Sequence, residues 1–128
     1  MKVMAMLLCV VTMATLSACS KEDNNQRKII GSWELVRIYG TNEIGEEIDE
    51  HFGSREEVWT FKSDGTMIFD VSGESPLYSS YTIFDDNKLQ IMQLIVVQFD
   101  IKELTNNKMI LHSEILGLDE YWEFRKIS

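Results

Sequence analysis

Short runs of alternating apolar and polar residues, separated by turn residues, follow one another from residue 29 to the end of the chain. The clearest pair is Glu57 to Lys62 and Thr66 to Val71, joined by Ser63-Asp64-Gly65. Trp59 and Phe61 share one face of the first run, and Asp and Gly tolerate the left-handed backbone of a tight turn. The pair therefore predicts a β-hairpin, and it sets the pattern for the rest of the domain.

About eight such runs are present, and no long stretch has helical periodicity. They are Ile29 to Tyr39, Glu57 to Lys62, Thr66 to Val71, Tyr78 to Phe84, Lys88 to Met92, Val96 to Leu104, Met109 to Glu114 and Glu120 to Lys126. Regularly spaced short strands predict an all-β fold, an antiparallel barrel or sandwich. Two stretches fit less well: Thr41 to Glu57 is a long acidic connection, and Leu89 to Phe99 is nearly continuous apolar sequence. The second contains either a tight turn near Gln93 or one long bent strand.

The N-terminus has the features of an export signal. Lys2 precedes an apolar stretch that ends in Leu16-Ser17-Ala18-Cys19, and this sequence resembles the lipobox of bacterial lipoproteins. The resemblance implies cleavage after residue 18 and attachment of a diacylglyceryl group and an acyl chain such as palmitate to Cys19. We therefore predict a signal peptide over 1–18, a lipidated, flexible tether over 19–28 and one domain over 29–128. An ordinary signal peptide or an anchor helix is the alternative.

The residues after Cys19 bear on location. Ser20 resembles the residue that follows the cysteine in outer-membrane lipoproteins, and Lys21-Glu22-Asp23 resembles a surface-export signal. The same acidic cluster also suits a plain solvated linker. We expect a lipid-anchored protein of the outer membrane, exposed either to the periplasm or at the cell surface.

Charge and composition exclude several classes of protein. The formal net charge is −9, and loss of Lys2 with the leader gives −9 − 1 = −10, so a nucleic-acid partner is not expected. All aromatic residues follow residue 18, which argues against a disordered chain. Beyond the leader, no apolar run reaches the length of a membrane span.

The domain resembles the lipocalins, and in particular small lipocalin-like domains of bacterial lipoproteins. Gly31-Ser32-Trp33 matches their G-x-W triplet, residues 61–66 match their F-x-x-D-G-T hairpin, and residues 104–109 match an L-T-x-x-x-L turn. The resemblance, over roughly Ile30 to Lys126, implies an up-and-down barrel of about eight strands with room for one small ligand. It also implies that Trp33 closes one end of the barrel, that Arg125 packs across its indole, and that residues 41–57 form either a lid or a surface loop.

The sequence contains no recognisable catalytic or metal motif. His51 and His112 lack ligand spacing, and the mature domain would have no free thiol. Its paired carboxylates fall in loops and at strand ends, where solvated charge is usual. We predict no enzyme activity, no metal and no cofactor.

The inward-facing apolar residues form the candidate site. They share parity within their strands, and those of interest are Trp59, Phe61, Met67, Phe69, Tyr81, Phe99, Met109, Trp122 and Phe124. They form either a packed core or the wall of an apolar pocket. Closure of a barrel would also bring Trp33, Trp59 and Trp122 together near the seam.

Two functions follow from these alternatives. A barrel with a pocket would bind a small apolar or amphipathic ligand at the cell envelope, held on the membrane by its lipid anchor. A filled barrel would act as an interaction module, in contact with another envelope protein or a surface glycan.

Overall fold

The computed structural model describes residues 24–85, 87–115 and 117–128. The predicted signal peptide and Cys19 lie outside these residues. Residues 24–29, most of which the sequence assigns to the tether, form a short helix that leads into the first strand. No helix in the described part of the chain has the length and apolar character that a membrane span requires.

Nine antiparallel strands make up the rest of the described chain. They are β1 (Gly31–Thr41), β2 (Glu47–His51), β3 (Glu57–Phe61), β4 (Thr66–Val71), β5 (Leu77–Phe84), β6 (Lys88–Met92), β7 (Val96–Leu104), β8 (Lys108–Ile115) and β9 (Leu118–Lys126). β3 to β9 pair in chain order, and β1 pairs with both β3 and β9. This closes an up-and-down barrel of eight strands, as the sequence predicts.

Strand β2, which is additional to the eight strands of the barrel, corrects the interpretation of residues 41–57 as a lid or a surface loop. β2 pairs with the second half of β1, from Arg37 opposite His51 to Thr41 opposite Glu47. β3 pairs with the first half of β1, so β2 and β3 lie end to end along the same edge. About a third of the expected loop is therefore an extension of the barrel wall rather than a cover over its mouth.

Two hairpin turns bear on the sequence predictions, and the second of them lies within the ambiguous stretch Leu89 to Phe99. The predicted β3–β4 hairpin forms, with the backbone N–H of Lys62 donating to the carbonyl of Thr66 and Gly65 at a φ of +89°. Between β6 and β7 the chain turns at residues 93–95, where the N–H of Gln93 donates to the carbonyl of Ile95. Leu89 to Phe99 is therefore a tight hairpin and not one bent strand.

The two ends of the barrel differ. The closed end holds the short helix, the C-terminus and the β3–β4, β5–β6 and β7–β8 turns. The open end holds the β1–β2, β4–β5, β6–β7 and β8–β9 turns. Ile29 and Trp33 are fully buried at the closed end, and the indole N–H of Trp33 donates to the carbonyl of Ile29 over 2.8 Å. The helix and the first strand thus seal that end of the barrel.

Candidate functional site

An apolar cavity of about 240 Å³ occupies the open half of the barrel. Six strands and the β6–β7 turn contribute its lining, which is Trp59, Phe69, Ile91, Gln93, Val97, Phe99, Ser113 and Trp122. The seven strand residues among them meet because each is an inward-facing position in the open half of the barrel, and Gln93 joins them from the turn. Only Gln93 and Ser113 among them carry a polar group other than an indole N–H.

Aromatic rings form most of the cavity wall, and Trp59 is at their centre. Its ring centroid lies 5.0 Å from that of Phe69, 6.0 Å from Phe99 and 5.6 Å from Trp122. Phe99 and Trp122 are also 5.8 Å apart. Edge-on and tilted contacts at these distances are favourable, so the rings stabilise one another's positions in the wall.

Buried side chains fill the closed half of the barrel. Met67, Met109 and Phe124 are fully buried and Phe61 is nearly so, while Tyr81 packs its ring edge-on against Phe61 at 5.0 Å. The nine predicted interior residues therefore divide in two. Trp59, Phe69, Phe99 and Trp122 line the cavity, and the other five lie outside its lining, in or against the packed core. The set therefore contains both cavity-lining residues and core residues.

The three indole N–H groups have different environments. The N–H of Trp33 is bonded to Ile29, and that of Trp59 donates to the Glu57 carboxylate over 2.8 Å. The Nε1 of Trp122 is buried and has no hydrogen-bond partner among the described residues. An unsatisfied buried donor is costly, and Trp122, which carries this one, also lines the cavity.

The predicted tryptophan cluster forms only in part. Trp59 and Trp122 are in ring contact inside the barrel. Trp33 is the cross-strand partner of Trp59 in the β1–β3 register. Nevertheless, among the described residues no ring contact joins Trp33 to either of them, because its indole lies at the closed end against Ile29.

The structure corrects the residue that packs across Trp33. The Nζ of Lys126 lies 5.5 Å from the centre of the Trp33 ring, and these two residues are register partners. Arg125 is one position away on β9 and faces the outside of the barrel, where its Nε donates to Glu34 over 2.9 Å. Alternation of side chains along a strand is the physical reason, because Lys126 shares a face with Phe124 and Arg125 does not.

The Glu34–Arg125 pair sits in a surface groove of about 520 Å³ along β1 and β9. Glu34 is 3% exposed, and its carboxylate also accepts the backbone N–H of Arg55 over 2.8 Å. The hydrogen bond from Arg125, and after it that from Arg55, lowers the pKa of Glu34. Each of its carboxylate oxygens thus has a donor from the chain, so this pair ties β9 and the β2–β3 connection to β1.

The two histidines take part in pairs on the outer wall. His51 lies 3.2 Å from the Asp49 carboxylate and is exposed. His112 is buried, its Nε2 contacts the Asp119 carboxylate, and its ring is 4.4 Å from that of Tyr121. Within the described residues, no group of three or more His, Cys, Asp or Glu side chains is placed to hold a metal ion.

Comparison with known proteins bears on the fold. Neither a protein-family model nor a curated protein sequence matches the chain. The fold is similar to that of a lipocalin-like protein from Bacteroides uniformis, with a TM-score of 0.60 and 16% identity over 78% of this chain and 99% of that one. An uncharacterized protein from Bacteroides eggerthii gives 0.55 and 17% identity over 77% and 99%. The chain therefore has the lipocalin-like barrel fold.

Proposed function

We propose that this lipocalin-like barrel binds a small apolar molecule that carries a hydrogen-bond acceptor, and that it does so without catalysis. The observation that carries the proposal is the aromatic cavity of the open half, whose lining includes Trp122, a residue with a buried and unpaired indole N–H. Apolar cavities with a few placed polar groups are the usual form of small-molecule sites.

The size of the cavity limits the ligand. An apolar cavity of about 150 Å³ accommodates benzene in a protein core. A space of about 240 Å³ therefore suits a substituted single ring or a branched aliphatic molecule of similar bulk. Because buried side chains such as Phe61 and Met109 fill the closed half of the barrel, a long acyl chain would not fit there.

The donor of Trp122 specifies the polar part of the ligand. A carbonyl or ether oxygen that accepts this N–H would remove the cost of an unsatisfied buried group, about 1–3 kcal/mol. This corresponds to roughly 5- to 150-fold in affinity over a ligand of the same shape without the acceptor. Gln93 and Ser113, which also line the cavity, offer further polar contacts near its mouth.

We further propose that the protein is a lipoprotein of the cell envelope, lipidated at Cys19 and held at the outer membrane. The lipobox-like Leu16-Ser17-Ala18-Cys19 supports this. The short helix at residues 24–29 enters the barrel at the closed end. An anchor attached there would face that end towards the membrane and turn the cavity mouth away from it.

A matched pair of probes tests the binding proposal. Acetophenone and α-methylstyrene have nearly the same shape, but only the ketone has a hydrogen-bond acceptor. Isothermal titration of the purified protein should show acetophenone binding roughly 5- to 150-fold more tightly. Trp122→Phe should abolish the preference while keeping the cavity. Trp33→Phe is the control, because its N–H is already bonded to Ile29 at the other end.

A second variant tests the place of binding. Phe69→Trp puts a larger ring into the cavity. It should weaken the binding of both probes, because the larger ring leaves less space for a ligand. Failure of both probes to bind the folded wild-type protein would contradict the binding proposal. The lipid anchor is tested separately, by the mass of the protein purified from its own membranes. An unmodified Cys19 in that material would refute the anchor and leave the binding proposal intact.

A further inference from the structure

The exposed apolar side chains of the barrel are concentrated at its open end. Eight large apolar side chains in the described part of the chain are exposed, and they lie in the four connections of that end or at the strand ends beside them. They are Ile44, Leu77, Tyr78, Met92, Leu94, Ile95, Val96 and Ile115. We call this set the open-end rim. Exposed apolar residues scattered singly need no explanation, but a group confined to one end indicates an interaction surface.

The β6–β7 hairpin is the most prominent part of the rim. Its turn is Gln93-Leu94-Ile95, and the side chains of Leu94 and Ile95 are 106% and 72% exposed. Tight turns usually hold Gly, Asn, Asp or Ser, because these residues suit the backbone and the solvent. Here the tip presents two large aliphatic residues to water, although Gln93 and Val97 of the same hairpin line the cavity.

The charge around the rim has one sign. The segments 41–47, 72–78, 92–96 and 114–120 contain no Lys or Arg. Their carboxylates are those of Glu43, Glu46, Glu47, Glu74, Glu114, Asp119 and Glu120. Asp119 is paired with His112, and all but Glu120 of the seven are exposed. The closed end, in contrast, carries Lys62, Lys108 and Lys126 in or beside its turns.

We propose that the open-end rim is a docking surface for a basic, amphipathic polypeptide segment. Apolar side chains of such a segment would contact the rim, and its Lys and Arg would pair with the surrounding carboxylates. The acidic surround opposes an anionic lipid surface, and it opposes a second copy of this same rim, because like charges repel across both contacts. The proposal concerns the outside of the mouth and does not depend on a ligand in the cavity.

Fluorescence anisotropy with two synthetic helical peptides tests the proposal. One is built from leucine and lysine, and the other has glutamate at every lysine position with the same apolar face. We expect the purified protein to bind the lysine peptide and not the glutamate peptide, with an affinity that falls as salt is added. Leu94→Ser with Ile95→Ser should weaken binding at least about tenfold, because two aliphatic side chains lose their buried contact.

Charge variants supply the matched control. Glu43→Lys at the rim and Glu103→Lys on β7 near the closed end change the net charge equally. If the contact is local, only Glu43→Lys should weaken binding of the lysine peptide. Equal binding of both peptides, or an unchanged affinity of the Leu94 and Ile95 double variant, would overturn the proposal. So would binding to zwitterionic vesicles, or rim-dependent dimers in sedimentation, in place of peptide binding.

Discussion

Replacement of Arg125 by methionine should destabilise the barrel by about 2–3 kcal/mol near pH 7. Glu34 is 3% exposed, and Arg125 is one of the two residues that donate to its carboxylate. Loss of one partner from a buried ion pair costs about 3–5 kcal/mol, because the remaining charge stays buried without compensation. We expect less here because the Arg125 side chain is 66% exposed, so water reaches part of the pair.

The same variant has a defined pH dependence. The folded pKa of Glu34 is lowered from its ordinary value of 4.5 by the hydrogen bond from Arg125 and then by that from Arg55. A carboxyl group of this kind contributes stability above its unfolded pKa and loses it as the pH falls through the folded value. The difference between wild type and Arg125→Met should therefore shrink below about pH 4.5 and vanish once Glu34 is protonated in both.

Urea unfolding followed by tryptophan fluorescence measures both effects. A second variant, Glu34→Met with Arg125→Met, should be less destabilised than Arg125→Met alone, because no charge is left unpaired. An Arg125→Met protein as stable as wild type near pH 7 would refute this account of the pair. A loss of stability that stays constant down to low pH would refute it as well, since it would point to packing and not to charge.

Three further predictions follow from the same structure. Lys126→Met should cost about 0.5–1 kcal/mol, because it removes a partly exposed cation from the Trp33 ring; urea unfolding with no loss would contradict that contact. Met109→Ala should cost about 2–5 kcal/mol, because Met109 is fully buried in the filled half. Phe69→Ala should cost less than the about 3–5 kcal/mol usual for an aromatic truncation, because Phe69 lines the cavity; equal costs in thermal unfolding would argue against a half-filled barrel. Burial raises the pKa of Tyr81, so the absorbance difference between wild type and Tyr81→Phe should develop above about pH 10; a difference complete below that pH would contradict it.

The sequence predicts the strands and the barrel well, because period-two alternation and turn residues are local signals. The β3–β4 hairpin forms with Gly65 at positive φ, as Ser63-Asp64-Gly65 indicates. β2 is missed because Glu47–His51 is almost wholly polar and buries only part of Ile48. Its pairing with β1 depends on a neighbour that the local composition does not indicate.

The β6–β7 turn is left open by the sequence for a different reason. A turn is recognised by Gly, Pro, Asn or Asp, and Gln93-Leu94-Ile95 contains none of them. The apolar tip that hides the turn is also the core of the proposed docking surface. The residues that leave this turn without a sequence signal are thus the ones that we propose to contact a partner.

The sequence also predicts the candidate site only in part. Parity alone identifies the interior residues, but it does not say whether the space between them is filled. That depends on strand tilt and on how side-chain volumes meet across the barrel, as the difference between Phe69 and Met109 illustrates. Parity does distinguish Lys126 from Arg125, since Trp122, Phe124 and Lys126 share one face of β9. The resemblance to lipocalins points to Arg125, and the alternation along the strand is the better guide.

The indole N–H signals of the protein in a nitrogen–proton correlation spectrum show directly whether Trp122 donates to a bound ligand. Trp33, Trp59 and Trp122 should each give one signal, and the first two already have acceptors in Ile29 and Glu57. On addition of acetophenone, the account predicts that the Trp122 signal moves downfield as its N–H gains an acceptor, while the Trp33 signal stays in place. A Trp122 signal that does not respond to saturating ketone, or a Trp33 signal that moves as far, would contradict it.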